Sequence, residues 1–316
     1  MIDRRRLLSG LGTLAAGAAG AGAAQGRPGP SVDLTGTWSC AWYTKLERPK
    51  AFKGLIATAA EAEAYEQPRR KMHGELASKD DDLGQNESEF PDNGPGLARI
   101  DGQPRSSWIV DPPDGQIPWT DAARKRLSID AKPPEVFEWF DNPEQRDTEE
   151  RCITQPGVGP PIVNSHDGNV LEIVQAPGWI AIVGEKGHDL RIIELAGAGT
   201  PDGPAPPTAL HGHSVGRWEG AALVVATTGF RPGLTKVRDG FMVSGRARVT
   251  ERFTRPSAAV LRYDYTVEDP ELLTRPWRAE MVLRPSEGRL FEYACHEGNY
   301  GLPDILRAAR RMEAAK

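Results

Sequence analysis

Long apolar runs are what this sequence has least of. Beyond the first 25 residues no stretch approaches the roughly 20 apolar residues that a membrane-spanning helix needs, so no later segment reads as a helical span. Hydrophobic content is only 39% in 316 residues, against 34 Gly and 27 Pro. That is thin for a compact helical enzyme and suits a turn-rich β protein with long irregular connections. Positive charge is short too: 39 Lys+Arg face 44 Asp+Glu, a net charge of −5, which argues against nucleic acid or an anionic membrane as partner. Catalytic signatures are equally scarce. No Ser or Cys sits in a nucleophile motif and no glycine-rich dinucleotide fingerprint follows a strand, so no cofactor is expected.

Cysteine is rare, with Cys40, Cys152 and Cys295 as the full complement. In an oxidising compartment three thiols allow one intramolecular pair and leave one over. Cys152 with Cys295 is the preferred pair because each adjoins the presumed core, while Cys40 lies in the first strand. The competing reading is three small buried apolar residues.

The compartment itself is suggested by the N-terminus. Asp3-Arg4-Arg5-Arg6-Leu7-Leu8 sets paired arginines before an Ala/Gly/Leu run, and Ala21-Gly22-Ala23 is a small-x-small cleavage site. This pattern predicts a twin-arginine export signal over residues 1–24, a linker over 25–32, and a periplasmic or secreted mature protein. An uncleaved anchor is the weaker reading, since the apolar run is short and rich in glycine. Removing residues 1–24 takes away three Arg and one Asp and leaves 36 Lys+Arg against 43 Asp+Glu, or −7.

Residues 33–316 read as a single domain. Leu34-Thr-Gly-Thr-Trp-Ser-Cys-Ala-Trp-Tyr43 predicts a first strand with Trp38 and Trp42 on one face, and Gly-x-Trp openings of this kind resemble those of lipocalin-like barrels. Residues 50–160 are loosely patterned. They predict short helices over 56–67 and 120–125, an acidic flexible stretch over 79–93, and a segment wrapped over the core by Trp108, Ile109, Trp119, Phe137, Trp139 and Phe140. From 161 the strand signal is strong, with runs at 169–175, 178–185, 188–196, 214–219, 221–228, 244–255, 258–269, 274–284 and 289–296. Leu261, Tyr263, Tyr265 and Val267 fall on one face of their run, as do Trp277, Ala279, Met281 and Leu283 of the next. Short turns and the lack of crossover helices predict a single antiparallel β-barrel, lipocalin-like in shape. Residues 302–315 predict a closing amphipathic helix with Pro303 in its first turn.

Six motifs carry a resemblance over about 100–312: Asp111-Pro-Pro-Asp-Gly115, Glu150-Arg-Cys152, Gly216-Arg-Trp-Glu-Gly220, Glu251-Arg-Phe-Thr-Arg255, Thr266-Val-Glu-Asp-Pro270 and Tyr293-Ala-Cys-His-Glu-Gly-Asn-Tyr300. The chain resembles a large family of exported proteins from soil and freshwater bacteria. That resemblance implies export and brings no activity with it. One departure is His211-Gly-His213-Ser-Val215, where the family pattern has an acidic residue and an arginine.

Reactive side chains cluster in two places. In the run from Ile180 to Ile192, a two-residue turn at Lys186-Gly187 would set Glu185 opposite His188 with Cβ atoms about 5 Å apart. Val183 with Leu190 and Ala181 with Ile192 would continue that face to a barrel mouth. A carboxylate beside an imidazole suits a general base; a solvated turn pair of little consequence is the alternative. The second cluster is 291–300, where Gly298 ends the strand and would let His296 and Glu297 share a pocket as catalytic groups. The plainer role for His296 is to pin the C-terminal helix. Arg191, Trp218, Tyr293, Asn299 and Tyr300 are the candidate ligand contacts, although Trp218 also reads as a structural residue beside a turn. His211-x-His213 has the alternation of a metal pair but no visible third ligand, and no metal is expected.

These features predict an exported enzyme that acts on a small hydrophobic or aromatic molecule by cofactor-independent acid/base chemistry in a barrel cavity, as a lyase, isomerase or hydrolase. A non-catalytic periplasmic carrier using the same cavity is the first alternative, and a structural envelope module the second.

Overall fold

Residues that alternate apolar and polar from 170 onward pair into one continuous sheet, and a computed structural model shows that sheet curling until its edges meet. The structure describes residues 32–77, 94–126, 142–143, 146, 148–154, 157–165, 168–196, 208–231 and 243–315. The export signal expected over residues 1–24, the acidic stretch 79–93 and the anchors Phe137, Trp139 and Phe140 lie outside the described residues.

The strands are β1 (Gly36–Ser39), β2 (Arg99–Ile100), β3 (Gln103–Pro104), β4 (Ile109–Asp111), β5 (Val170–Ala176), β6 (Trp179–Gly184), β7 (Leu190–Leu195), β8 (His213–Glu219), β9 (Ala222–Thr228), β10 (Arg248–Ser257), β11 (Val260–Glu268) and β12 (Trp277–Pro285). Among the described residues three α-helices accompany them, α1 (Ala59–Ala77), α2 (Asp121–Arg126) and α3 (Gly301–Glu313). None of the described helices is long and apolar enough to cross a membrane.

Nine strands close the barrel in the order β1-β5-β6-β7-β8-β9-β10-β11-β12. Short β1 bridges the two ends, with Trp38 opposite both Leu171 and Pro285. β4 adds outside the ring on the far part of β12, at Ala279 and Arg278. Because side chains alternate, the pairing register puts one set of residues inside: Trp38, Leu171, Ile182, Ile193, Val225, Phe253, Tyr263, Tyr265, Trp277 and Met281 are all buried there. Four of them form an aromatic ladder, with ring centroids 4.8 Å apart for Phe253–Tyr263, 5.1 Å for Tyr263–Tyr265 and 5.5 Å for Tyr265–Trp277. Offset and edge contacts of this kind add about 0.5–1.5 kcal/mol each beyond area burial.

Three sequence expectations need correcting. The barrel is mixed, because β7 and β8 pair in parallel through Ile193–Ser214 and Leu195–Gly216. A seven-residue strand is only ~23 Å long, and the length of chain between β7 and β8 is enough to return over that distance, so the two strands can run the same way. Gly216 permits the close approach: a Cβ there would lie 2.9 Å from Ile193 Cγ2. Second, the final strand expected over 289–296 does not form; β12 ends at Pro285 and closes on β1. Residues 291–294 are exposed instead, so no second face was available to reward pairing. Third, the first strand is four residues and not ten, and Trp42 leaves it to donate its Nε1–H to the Val282 carbonyl at 2.8 Å.

The segment before β5 wraps the barrel through buried polar anchors. Trp108 is buried and donates Nε1–H to Asn164 Oδ1 at 2.7 Å, while the Asn164 amide donates to the carbonyls of Trp42 and Thr44 at 3.0 Å each. Thr120 caps α2 by accepting the Ala123 N–H at 3.1 Å.

Candidate functional site

The hairpin β6–β7 has the expected register, with Val183 opposite Leu190 and Ala181 opposite Ile192. The face assigned to it was the wrong one. Leu190 and Ile192 are 54% and 44% exposed, so that row lies on the outside of the barrel. Nor does the hairpin tip hold Glu185 across from His188 as a ladder pair. The Gly184 N–H donates to the Asp189 carbonyl at 2.9 Å, and Lys186–His188 form a 3-10 turn with Gly187 at φ +80. The His188 side chain lies outside the described residues.

The inner face of β7 carries Arg191, which is no surface ligand contact. Its guanidinium makes a two-pronged ion pair with Glu251 of β10, Nη1 donating to Oε1 at 2.8 Å and Nη2 to Oε2; the two side chains are 1% and 0% exposed. Nε donates to Ser214 Oγ at 3.0 Å, Nη2 to Thr227 Oγ1 at 3.1 Å and Nη1 to the Val158 carbonyl at 3.5 Å. Tyr263 Oη donates to Glu251 Oε1 at 2.6 Å and accepts the Ile162 N–H at 2.9 Å. Burial, and after it the Glu251 charge, hold the Tyr263 phenol well above its ordinary range. Every donor of the guanidinium has an acceptor, so this network locks the middle of a filled barrel and leaves no reactive group idle. The barrel interior is therefore core at this level, not the expected substrate cavity.

Outside, the hairpin tip does meet the reactive cluster of 291–300. A disulfide joins Cys152 to Cys295, with Cα atoms 5.8 Å apart, and Cys40 stays a buried thiol outside any disulfide, donating to the Asn169 carbonyl at 3.4 Å. Glu185 Oε2 accepts the Phe291 N–H at 3.1 Å, and Lys186 Nζ lies 5.7 Å from the Tyr293 ring centre while pairing with Glu149. Between these ties is a cleft of about 260 Å³ whose lining includes Gly187 of the tip, the disulfide, Thr154, Tyr293, His296 and Glu297. Glu292, Ala294 and Ile153 complete it. His296 and Glu297 thus share one cleft, and the absence of a strand is what lets neighbouring residues face the same space.

Not every candidate gathers there. Asn299 is occupied structurally: its Nδ2 donates to the Glu150 carbonyl at 2.8 Å and to Cys152 Sγ at 3.4 Å, and its Oδ1 accepts the Leu302 N–H at the start of α3 at 3.3 Å. Tyr300 is exposed at the cap of that helix. Trp218 lies on β8 beyond Gly216, toward the barrel end opposite the tip, and packs on the core. His211 and His213 diverge to different carboxylates, Asp189 at 3.5 Å and Glu194 at 3.9 Å. Only His213 is on a strand, so the alternation argument for a shared metal does not apply.

Sequence reasoning missed Thr154 and Asp189. Thr154 Oγ1 donates to Asp189 Oδ2 at 2.8 Å, which ties the disulfide loop to the hairpin tip and places His211 at the same corner. The signal was the adjacency of Thr154 to Cys152, usable only once the cysteine pair is known. No protein-family model, curated protein or solved structure matches the chain. The reading of the cleft therefore rests on its geometry.

Proposed function

We propose that the chain is an exported enzyme that moves a proton on a small molecule in the tip cleft, as a lyase, isomerase or hydrolase working without a cofactor. The supporting observation is the convergence of two segments about a hundred residues apart, the β6–β7 tip and 292–297, around one cleft that holds an imidazole, two carboxylates and a phenol. His296 is the proton-transfer group in this reading, and Glu297 and Glu292 orient it or the substrate. Tyr293, Ile153 and the disulfide supply the apolar wall. A volume of about 260 Å³ falls just under the ~300 Å³ lower bound for drug-sized pockets, so the substrate is a small one. Export follows from the paired arginines Arg4 and Arg5, and the Cys152–Cys295 disulfide suits an oxidising compartment. Membership of the exported bacterial family that the motifs resemble belongs to the same proposal.

A carrier without catalysis is favoured by one observation, the exposure of residues 291–294 and 296–297 to solvent, where proton transfer gains little from desolvation. The two readings separate in a screen of small aromatic and aliphatic metabolites against the oxidised chain, following both thermal stabilisation and product formation. An enzyme converts at least one of the compounds that stabilise it. Stabilisation with no product from any of them would assign the cleft to a carrier.

A further inference from the structure

A second cleft, of about 360 Å³, lies outside the barrel where the wrapping segment crosses the ends of β11 and β12. Its wall is apolar, built from the Trp42 indole, Leu97, Val260 and Val282. Three charged side chains also line it, Glu66, Arg99 and Arg284. Their balance is the informative part. Glu66 is already committed, with Oε1 accepting the Leu97 N–H at 2.8 Å and Oε2 accepting from Arg70 at 2.7 Å, so its charge is matched within the fold. The two arginines are not matched. Among the described residues neither pairs with a carboxylate; Arg99 reaches only the Gly102 carbonyl at 3.3 Å. Arg284 sits 5.9 Å from the Trp42 ring centre, and its buried Nε has no hydrogen-bond partner.

We infer that this cleft binds a small aromatic monocarboxylate, the ring on the Trp42, Val260 and Val282 wall and the carboxylate on Arg284, with Arg99 adding positive charge at the rim. A guanidinium that lines an apolar cleft with no carboxylate beside it is matched by an anionic ligand, because carboxylate and guanidinium are complementary in shape and charge. The apolar wall supplies area for a ring but nothing to satisfy a second polar end, so a neutral or cationic ligand leaves the arginines as they were. This site is separate from the tip cleft and does not depend on the reading given to it.

The test is titration calorimetry of the full, oxidised chain with 1-naphthylacetate and, as neutral isostere, 1-naphthylacetamide. The acid is expected to bind one per chain and the amide roughly tenfold more weakly, the difference being one charge-assisted contact. Arg284→Gln should weaken the acid by the same factor and leave the amide unchanged. Ala259→Trp, at an exposed lining position where a large side chain can be added without disturbing the core, should abolish binding of both while the thermal midpoint holds. His296→Gln should change neither affinity. Equal binding of acid and amide, binding that survives Ala259→Trp, or no binding of the acid at all would each overturn the inference.

Discussion

Arg191 and Glu251 meet across the barrel interior, from β7 and β10, as a two-pronged ion pair with both side chains essentially sealed from water. Desolvating two charges costs several kcal/mol each, and here the four further contacts from Ser214, Thr227, Val158 and Tyr263 are what make the arrangement affordable. Removing one partner strands the other. Glu251→Ala should therefore destabilise the fold by about 3–5 kcal/mol in urea unfolding, whereas the double change Arg191→Met with Glu251→Leu should recover most of that loss.

Two neighbouring tyrosines on β11 should respond oppositely to loss of the hydroxyl. Tyr263 Oη is both donor to Glu251 and acceptor from Ile162, so Tyr263→Phe orphans a backbone N–H and should cost about 1–3 kcal/mol. Tyr265 Oη is buried without a hydrogen-bond partner among the described residues, and Tyr265→Phe should be neutral or stabilising. Denaturant midpoints of the two variants, measured side by side, decide this; a larger loss for Tyr265→Phe would contradict it.

Alkali should unfold the protein through the same pair. Burial, with the Glu251 charge second, raises both phenols above their ordinary value of 10.0. For an acid whose folded pKa is raised, the folded state holds its proton where the unfolded state has lost it. The contribution to stability is thus complete below pH 10 and falls as pH climbs past it. Phenolate absorbance of Tyr263 and Tyr265 should appear only together with loss of far-UV dichroism, and ionisation in a still-folded chain would refute the assignment.

The barrel was largely legible because period-two alternation in residues such as Leu261–Val267 has a direct physical reading: one face must be buried. What alternation does not encode is which strand lies beside which. The parallel β7–β8 contact depends on a long connection and on Gly216, whose missing side chain reads from sequence only as a turn residue. Inside and outside were confused on β6–β7 for a related reason. Ile192 and Leu190 look like core while Arg191 looks like surface, and only the opposite strand, bearing Glu251, reverses that reading. At the site, His296 and Glu297 were visible as chemistry. Their sharing of a pocket follows in the sequence from a strand that ends at Gly298, and Cys152–Cys295 is the pair it prefers; what it does not give is the far wall, which the hairpin tip at Gly187 supplies.

That disulfide should be measurable directly. Thiol titration of the denatured, unreduced chain should find one reactive thiol, that of Cys40. Cys295→Ser should release the 291–300 segment and cost about 2–5 kcal/mol by the usual effect of removing a native cross-link. Three thiols per chain would show that the bond is not made.

The central claim is that His296 performs proton transfer in the tip cleft, and the most direct measurement is kcat for His296→Gln against the wild-type chain, on whichever compound the screen shows to be turned over. Because His296 is exposed and its side chain holds up no buried group, the variant should fold with an unchanged thermal midpoint. A fall in kcat of about 10²–10⁴ is the predicted result, the range typical of a lost general acid or base. An unchanged kcat in a well-folded variant would contradict the account.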